Sequence, residues 1–147
     1  MKIAIGCDPN ATAYKEKIIP FITGLGHEVK DYGSDDPIYA NVAIRIAEDV
    51  AAGKMDRGII FCGTGIGVSI AANKVKGAYA ACISDIYQAQ RAELSNNANI
   101  ITLGAQVVGI ESAKVMIKEY LERQFDWKSR SVPKVNAITE YEKEHSV

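Results

Sequence analysis

The sequence predicts an α/β protein in which βαβ units build one parallel sheet of five strands. Three observations carry this. Short β-branched runs alternate with longer stretches at helical spacing along the chain. The run Gly58-Ile59-Ile60-Phe61-Cys62 is apolar without alternation, the pattern of a strand buried on both faces. The length, 147 residues, suits one domain with a single core and is too short for two.

In order, Lys2–Cys7 reads as the first strand, followed by a helix over Thr12–Leu25 that Gly26 ends. His27–Tyr32 reads as the second strand, Asn41–Ala52 as a helix stopped by Gly53, and Arg57–Cys62 as the third strand. A glycine-rich loop leads into a short helix, Val68–Val75; Ala78–Ser84 is the fourth strand, Ile86–Leu94 a helix and Asn99–Leu103 the fifth strand. Across Ile110–Phe125 the apolar residues Ala113, Met116, Ile117, Tyr120 and Leu121 recur at helical spacing, which packs that helix on the sheet. From Asp126 the chain turns polar, contains Pro133 and closes on Lys134–Glu144, again at helical spacing. This tail, 126–147, reads as an arm that docks on a neighbouring subunit; a frayed terminus is the other reading.

Composition narrows the function classes. The 17 Lys and Arg nearly balance the 18 Asp and Glu, so no overall field draws in nucleic acid or a membrane surface. The first residues, Met1-Lys2-Ile3-Ala4-Ile5-Gly6, enter a strand-like run with no signal-peptide pattern, and no segment is long and apolar enough to span a bilayer. A cytoplasmic protein is expected. Three widely spaced cysteines, Cys7, Cys62 and Cys82, fit reduced thiols better than disulfides or a zinc cluster.

In an open parallel sheet, ligands bind beyond the carboxyl ends of the strands, where the strand order reverses. For an order 2-1-3-4-5 that crevice lies between strands one and three. Cys7-Asp8 leave one strand and Cys62-Gly63-Thr64 the other, so a carboxylate, a thiol and a hydroxyl converge. Gly63, Gly65 and Gly67 alternate just ahead of a helix, where the backbone can approach a ligand and aim N–H groups at an anion. That anion is a phosphate or an oxyanion formed only during reaction. A nucleotide-binding module fits poorly: the loop lacks a Lys-Ser/Thr ending, and Val68 stands where the dinucleotide fingerprint needs glycine. A thiol ahead of a helix tends to react as thiolate, which suits Cys62 to taking a proton from carbon beside a carbonyl. The other reading of Cys62 is a small core residue at a strand end. Cys7 and Cys82 read as core residues of buried strands, and His27 and His145 as structural or solvated.

Five segments together resemble the type B ribose-5-phosphate isomerase and galactose-6-phosphate isomerase family. They are Ile3-Ala4-Ile5-Gly6-Cys7-Asp8, Gly26-His27-Glu28-Val29, Cys62-Gly63-Thr64-Gly65-Ile66-Gly67, Ser69-Ile70-Ala71-Ala72-Asn73-Lys74 and Val107-Val108-Gly109. The resemblance implies a Rossmann-like three-layer αβα sandwich and a homodimer or dimer of dimers with shared active sites. It also implies aldose–ketose isomerisation of a small phosphorylated sugar without metal or cofactor, through a cis-enediolate. Cys62 would be the base, with Thr64 and Asp8 at the sugar hydroxyls and ring oxygen. Gly63, Gly65, Ile66, Gly67 and Ser69 would surround the enediolate, Asn96 would contact substrate, and Arg130 and Lys134 would hold phosphate.

Departures from that pattern are concentrated. Where the family commonly has His after the first-strand Asp, this chain has Pro9, and where many members carry a ring-opening His it has Ser95. Gln106 replaces a phosphate-binding Arg, and the loop Tyr32–Tyr39 is short and lacks the Tyr before its Pro. Ring opening and phosphate grip are therefore altered, while the base and glycine loop are intact. Ribose 5-phosphate is the leading expectation for the substrate. The alternatives are a tetrose or tetrulose phosphate, galactose or allose 6-phosphate, or a half-site subunit that needs a partner.

Overall fold

The computed structural model describes residues 1–145; the last two residues of the predicted arm, Ser146 and Val147, lie outside the described residues. Five parallel strands form one sheet: β1 (Lys2–Cys7), β2 (Glu28–Asp31), β3 (Arg57–Cys62), β4 (Ala80–Cys82) and β5 (Ile100–Gly104). The helices are α1 (Thr12–Gly24), α2 (Tyr39–Ala51), α3 (Ile66–Ala72), α4 (Ile86–Leu94), α5 (Ile110–Leu121) and α6 (Val132–His145), with a 3-10 turn over Pro9–Ala11. No described helix is long and apolar enough to cross a membrane.

The strand order is β2-β1-β3-β5-β4, which corrects the predicted 2-1-3-4-5. Composition explains the exchange. Every residue of β5 is buried, as a central strand requires, whereas β4 is three residues long, only partly covered and suited to an edge. After β3 the chain passes over the β5 position, lays down β4 and returns. Right-handed crossovers then place α2 and α3 on one face and α1, α4 and α5 on the other. Residues of one strand serve both layers: Ile59 and Phe61 pack toward α1 and α5, while Ile60 and Cys62 pack toward α2 and α3.

Side chains trim the predicted elements. β4 starts at Ala80 rather than Ala78 because two amides occupy the preceding backbone. Asn99 accepts from Tyr79 N–H at 2.8 Å and donates to Gly77 O at 2.9 Å. Asn73 accepts from Ala80 N–H at 2.8 Å and donates to Ala80 O at 2.9 Å, imitating a strand neighbour at the sheet edge. α6 lies beside this edge, with Val135 buried and the Glu142 carboxylate accepting from Tyr79 Oη at 2.7 Å and Gly77 N at 3.1 Å.

α5 ends at Leu121, short of the predicted Phe125, because Arg57 takes its last carbonyls. Arg57 Nη1 donates to Tyr120 O at 2.7 Å and Nη2 to Arg123 O at 2.5 Å. The same guanidinium stands 3.4 Å from Glu93, both side chains being buried, and Glu93 also accepts from Phe125 N–H at 3.2 Å. Burial raises the Glu93 carboxyl from its ordinary range, and Arg57 opposes that rise. Removing Arg57 leaves a buried carboxylate and two carbonyls without their donor. Arg57→Met should therefore lose about 3–5 kcal/mol in urea unfolding. Lys118→Ala, which breaks a half-exposed pair with Glu122, should lose no more than about 1 kcal/mol.

Candidate active site

β1 and β5 both send the chain to the face opposite the one taken by α3, so the residues leaving β3 sit between two diverging neighbours. The crevice expected between β1 and β3 therefore has a second wall at β5. Pairing continues past the strand ends on both sides: Asp8 N–H donates to Phe61 O at 3.4 Å, Ala105 N–H to Cys62 O at 2.8 Å and Gln106 N–H to Gly63 O at 3.0 Å. These bonds bring Asp8, Cys62 and Gln106 to the same end of the sheet.

Cys62 ends β3 almost buried, 6% exposed, with its sulfur accepting the Gly65 N–H at 3.1 Å. Gly65 is left-handed, φ 81°, and lies against β5 so closely that a Cβ there would sit 2.8 Å from the Leu103 carbonyl carbon. Gly104 meets the loop from the other side; its Cβ would lie 2.5 Å from Thr64 C. The buried Thr102 hydroxyl donates to Gly65 O at 2.7 Å and locks the contact. Thr64 itself is exposed and its Oγ1 accepts from Ile66 N–H at 3.3 Å. Gly63 has the Gln106 amide 3.2 Å from where its Cβ would be. The three glycines thus differ: Gly65 is required by backbone conformation and packing, whereas at Gly63 and Gly67 the neighbours that crowd a Cβ are side chains, Gln106 and an aromatic ring described below.

Asp8 follows β1 with its Oδ1 buried and without a hydrogen-bond partner among the described residues. A buried carboxylate oxygen without a donor is costly. Cys7 points to the α1 layer, where burial pushes its thiol up to about 11. Cys82 departs from expectation. It is exposed, because β4 is the edge strand, and its Sγ lies 3.9 Å from Thr64 O. Ile66 projects outward at 56% exposure, and Ser69 is buried on α3.

The remaining predicted site residues gather elsewhere. α4 runs back along the sheet, so Ser95 and Asn96 precede β5, at the end opposite Cys62. The five residues of β5 separate the two ends by roughly 15 Å. Asn96 lines a cavity of about 320 Å³ with Asn73, Tyr79, Val135 and Ile138. Lys134 is exposed in the first turn of α6, beside the cavity-lining Val135, and Arg130 is exposed two residues before the helix begins. Within one chain, Ser95, Asn96, Arg130 and Lys134 do not join Cys62. His27 bonds the N-terminal amine at 3.1 Å and His145 stacks on Tyr141, both as expected of residues outside the crevice.

The profile described as Ribose/Galactose Isomerase matches residues 3–138. The chain belongs to this family. It is 45% identical to D-erythrulose-4-phosphate isomerase 2 of Mycolicibacterium smegmatis, with 97% of each chain covered. It is 46% identical to the D-erythrulose-4-phosphate isomerase of Pectobacterium atrosepticum, over 97% of this chain and 95% of that one. The ribose-5-phosphate isomerase B structure from Clostridium thermocellum superposes with a TM-score of 0.92 at 39% identity, covering 99% of this chain and all of that one. The protein is accordingly a sugar-phosphate isomerase of the aldose–ketose type.

Sequence reasoning missed Thr102 and Gly104 as supports of this isomerase's loop. The only signal was a glycine ending the fifth strand, legible once the strand was known to lie beside the third. Gly104→Ala should force the Thr64 backbone aside, costing about 1–3 kcal/mol of stability in thermal or urea unfolding and most of the activity. An equally stable, equally active variant would show that the loop does not depend on that approach.

Proposed function

We propose that this isomerase interconverts a four-carbon aldose and ketose bearing a terminal phosphate, erythrose 4-phosphate and erythrulose 4-phosphate. The observation that carries the reading is the state of Ser95. Its hydroxyl, at the position where the resemblance expects a ring-opening His, accepts from Arg91 Nε at 2.6 Å. A serine hydroxyl is too weak an acid to open a sugar ring near neutral pH without a helper, Arg91 engages only its oxygen, and Pro9 offers neither a proton nor a donor at the other altered position. A tetrose phosphorylated at O4 has no hydroxyl placed to close a five-membered ring, so it needs no ring-opening step. The two erythrulose-4-phosphate isomerases among the relatives support the same reading.

In the proposed reaction Cys62 removes the C2 proton of the aldose and returns it to C1, while the hydroxyl proton passes from O2 to O1. The enediolate charge falls on oxygens facing the glycine loop. Preorganised donors of that kind contribute about 3–4 kcal/mol each to a transition state. Asp8 takes a substrate hydroxyl on its unpartnered oxygen, and the exposed Thr64 hydroxyl takes another. Asn96, Arg130 and Lys134 would come from a second copy of the chain, since they stand at the far end of their own sheet. A homodimer or dimer of dimers with shared sites follows, assembled in the cytoplasm.

Ribose 5-phosphate is the second reading. It is favoured by Arg130 and Lys134, which keep two of the cations ascribed to the phosphate site, and by the likeness to the C. thermocellum structure. A panel of four-, five- and six-carbon aldose and ketose phosphates in heavy water separates the two. C2-proton exchange should be fastest with the four-carbon pair, and Cys62→Ala should abolish it while leaving the fold intact. Preference for ribose 5-phosphate would overturn the four-carbon assignment; exchange with no sugar phosphate would overturn autonomous isomerase activity. The double variant Ser95→His, Gln106→Arg should shift relative kcat/KM toward ribose 5-phosphate by about tenfold or more, the scale of one to two restored charged hydrogen bonds.

A further inference from the structure

Tyr39, the first residue of α2, lies over Gly67. A Cβ on Gly67 would sit 2.5 Å from Tyr39 Cζ and 2.7 Å from its Oη. The ring thus explains why the third glycine of the loop carries no side chain. Tyr39 is 43% exposed, and its hydroxyl makes no hydrogen bond among the described residues.

The position is braced from both sides. The Asp36 carboxylate accepts from Ile38 N–H at 2.8 Å and from the Asn41 amide at 2.9 Å, holding the first turn of α2; these donors, Asn41 foremost, keep the Asp36 carboxyl below the usual range. Arg45, further along the helix, donates to Tyr32 O at 3.1 Å and ties the start of the same loop. The backbone that carries Tyr39 is thus held before any ligand arrives, and the ring lies on Gly67, so a hydrogen bond from the phenol to substrate costs less ordering than one from a mobile loop. The Tyr39 hydroxyl both donates and accepts.

We infer that Tyr39 is a substrate-contacting, specificity-determining residue whose hydroxyl binds an oxygen of the sugar phosphate lying on the Cys62–Gly67 loop, beyond the reacting carbons. The inference rests on the isomerase reading of that loop. It assigns the phenol to binding, while the chemistry stays with Cys62. The ring sets the wall of the site at Gly67, and Gln106 stands at the opposite end, over Gly63. Neutral hydrogen-bonding groups therefore bracket the loop from both sides.

Tyr39→Phe keeps the ring on Gly67 and removes only the hydroxyl. With erythrulose 4-phosphate it should raise KM about tenfold with kcat within about twofold, the effect of losing one hydrogen bond to a polar or charged oxygen. A purely packing role would leave KM unchanged. Binding of the non-reacting acid 4-phosphoerythronate, followed by calorimetry, should weaken by a similar factor. Inorganic phosphate tells the two oxygens apart: if its binding also weakens, Tyr39 holds the phosphate, and if it does not, Tyr39 holds a hydroxyl. Unchanged KM and unchanged acid binding in Tyr39→Phe would overturn the inference, as would a wild-type protein that does not bind the acid. A wild type that binds the acid but turns over no four-carbon phosphate would overturn the substrate reading alone, and the binding comparison would still decide Tyr39.

Discussion

Gly65 and Gly104 allow two backbone segments to touch at the ends of β3 and β5, and the rest of the site depends on that contact. The Thr102 hydroxyl secures it by donating to Gly65 O, and the left-handed turn at Gly65 then presents its N–H to the Cys62 sulfur. Were either glycine replaced by a larger residue, the loop would have to lift off β5, moving the thiol, the Thr64 hydroxyl and the loop amides together. A rigid core on both faces keeps the strands that carry this loop in register, with Ile59 and Phe61 facing one helical layer and Ile60 and Cys62 the other. Precision of this kind is what an enediolate site needs, because donors that must reorganise as charge develops lose most of their advantage.

The strand order has a functional consequence. With β5 between β3 and β4, the segments leaving β1 and β5 both turn away from the face used by α3, so the Cys62 loop lies between two diverging neighbours and packs on β5. The same order sends α4 back to the far end of the sheet and sets Ser95 and Asn96 there, beside the start of α6. One chain thus carries its candidate site residues in two groups at opposite ends: one with the thiol, the carboxylate and the glycine amides, the other with an amide and two exposed cations. The proposed two-fold assembly brings the halves of different chains together, and α6, anchored on its own β4 edge through Glu142, is the element that would carry Arg130 and Lys134 across.

Much of the fold was legible in the sequence because its signals are local. Short β-branched or continuously apolar runs marked all five strands, longer stretches at helical spacing marked five main helices, and Gly26 and Gly53 marked two helix ends. What was not legible was long-range. The order of β4 and β5 depends on which strand is more completely apolar relative to its neighbours, and Ala78–Ser84 reads as a full strand until Asn73 and Asn99 take up its first backbone groups. The burial expected of Cys82 failed for the same reason. At the candidate site, residue type and spacing single out Cys62, Thr64 and the alternating glycines. They do not single out Gly104, Thr102 and Tyr39, since each matters only through a contact that the topology creates. Pro9, Ser95 and Gln106 were visible as departures from the family's pattern, whereas the Arg91 bond that engages the Ser95 oxygen was not.

The central claim is that chemistry needs the Cys62 half of one chain and the Asn96 half of another. Two inactive variants test it most directly: Cys62→Ala, and a chain with both Asn96→Ala and Arg130→Ala, unfolded and refolded together in equal amounts. In a dimer with shared sites, half of the products are hybrids with one intact site of two, so C2-proton exchange should return to about a quarter of the wild-type rate. A mixture as inactive as either variant alone, or a double variant that is fully active by itself, would contradict the account.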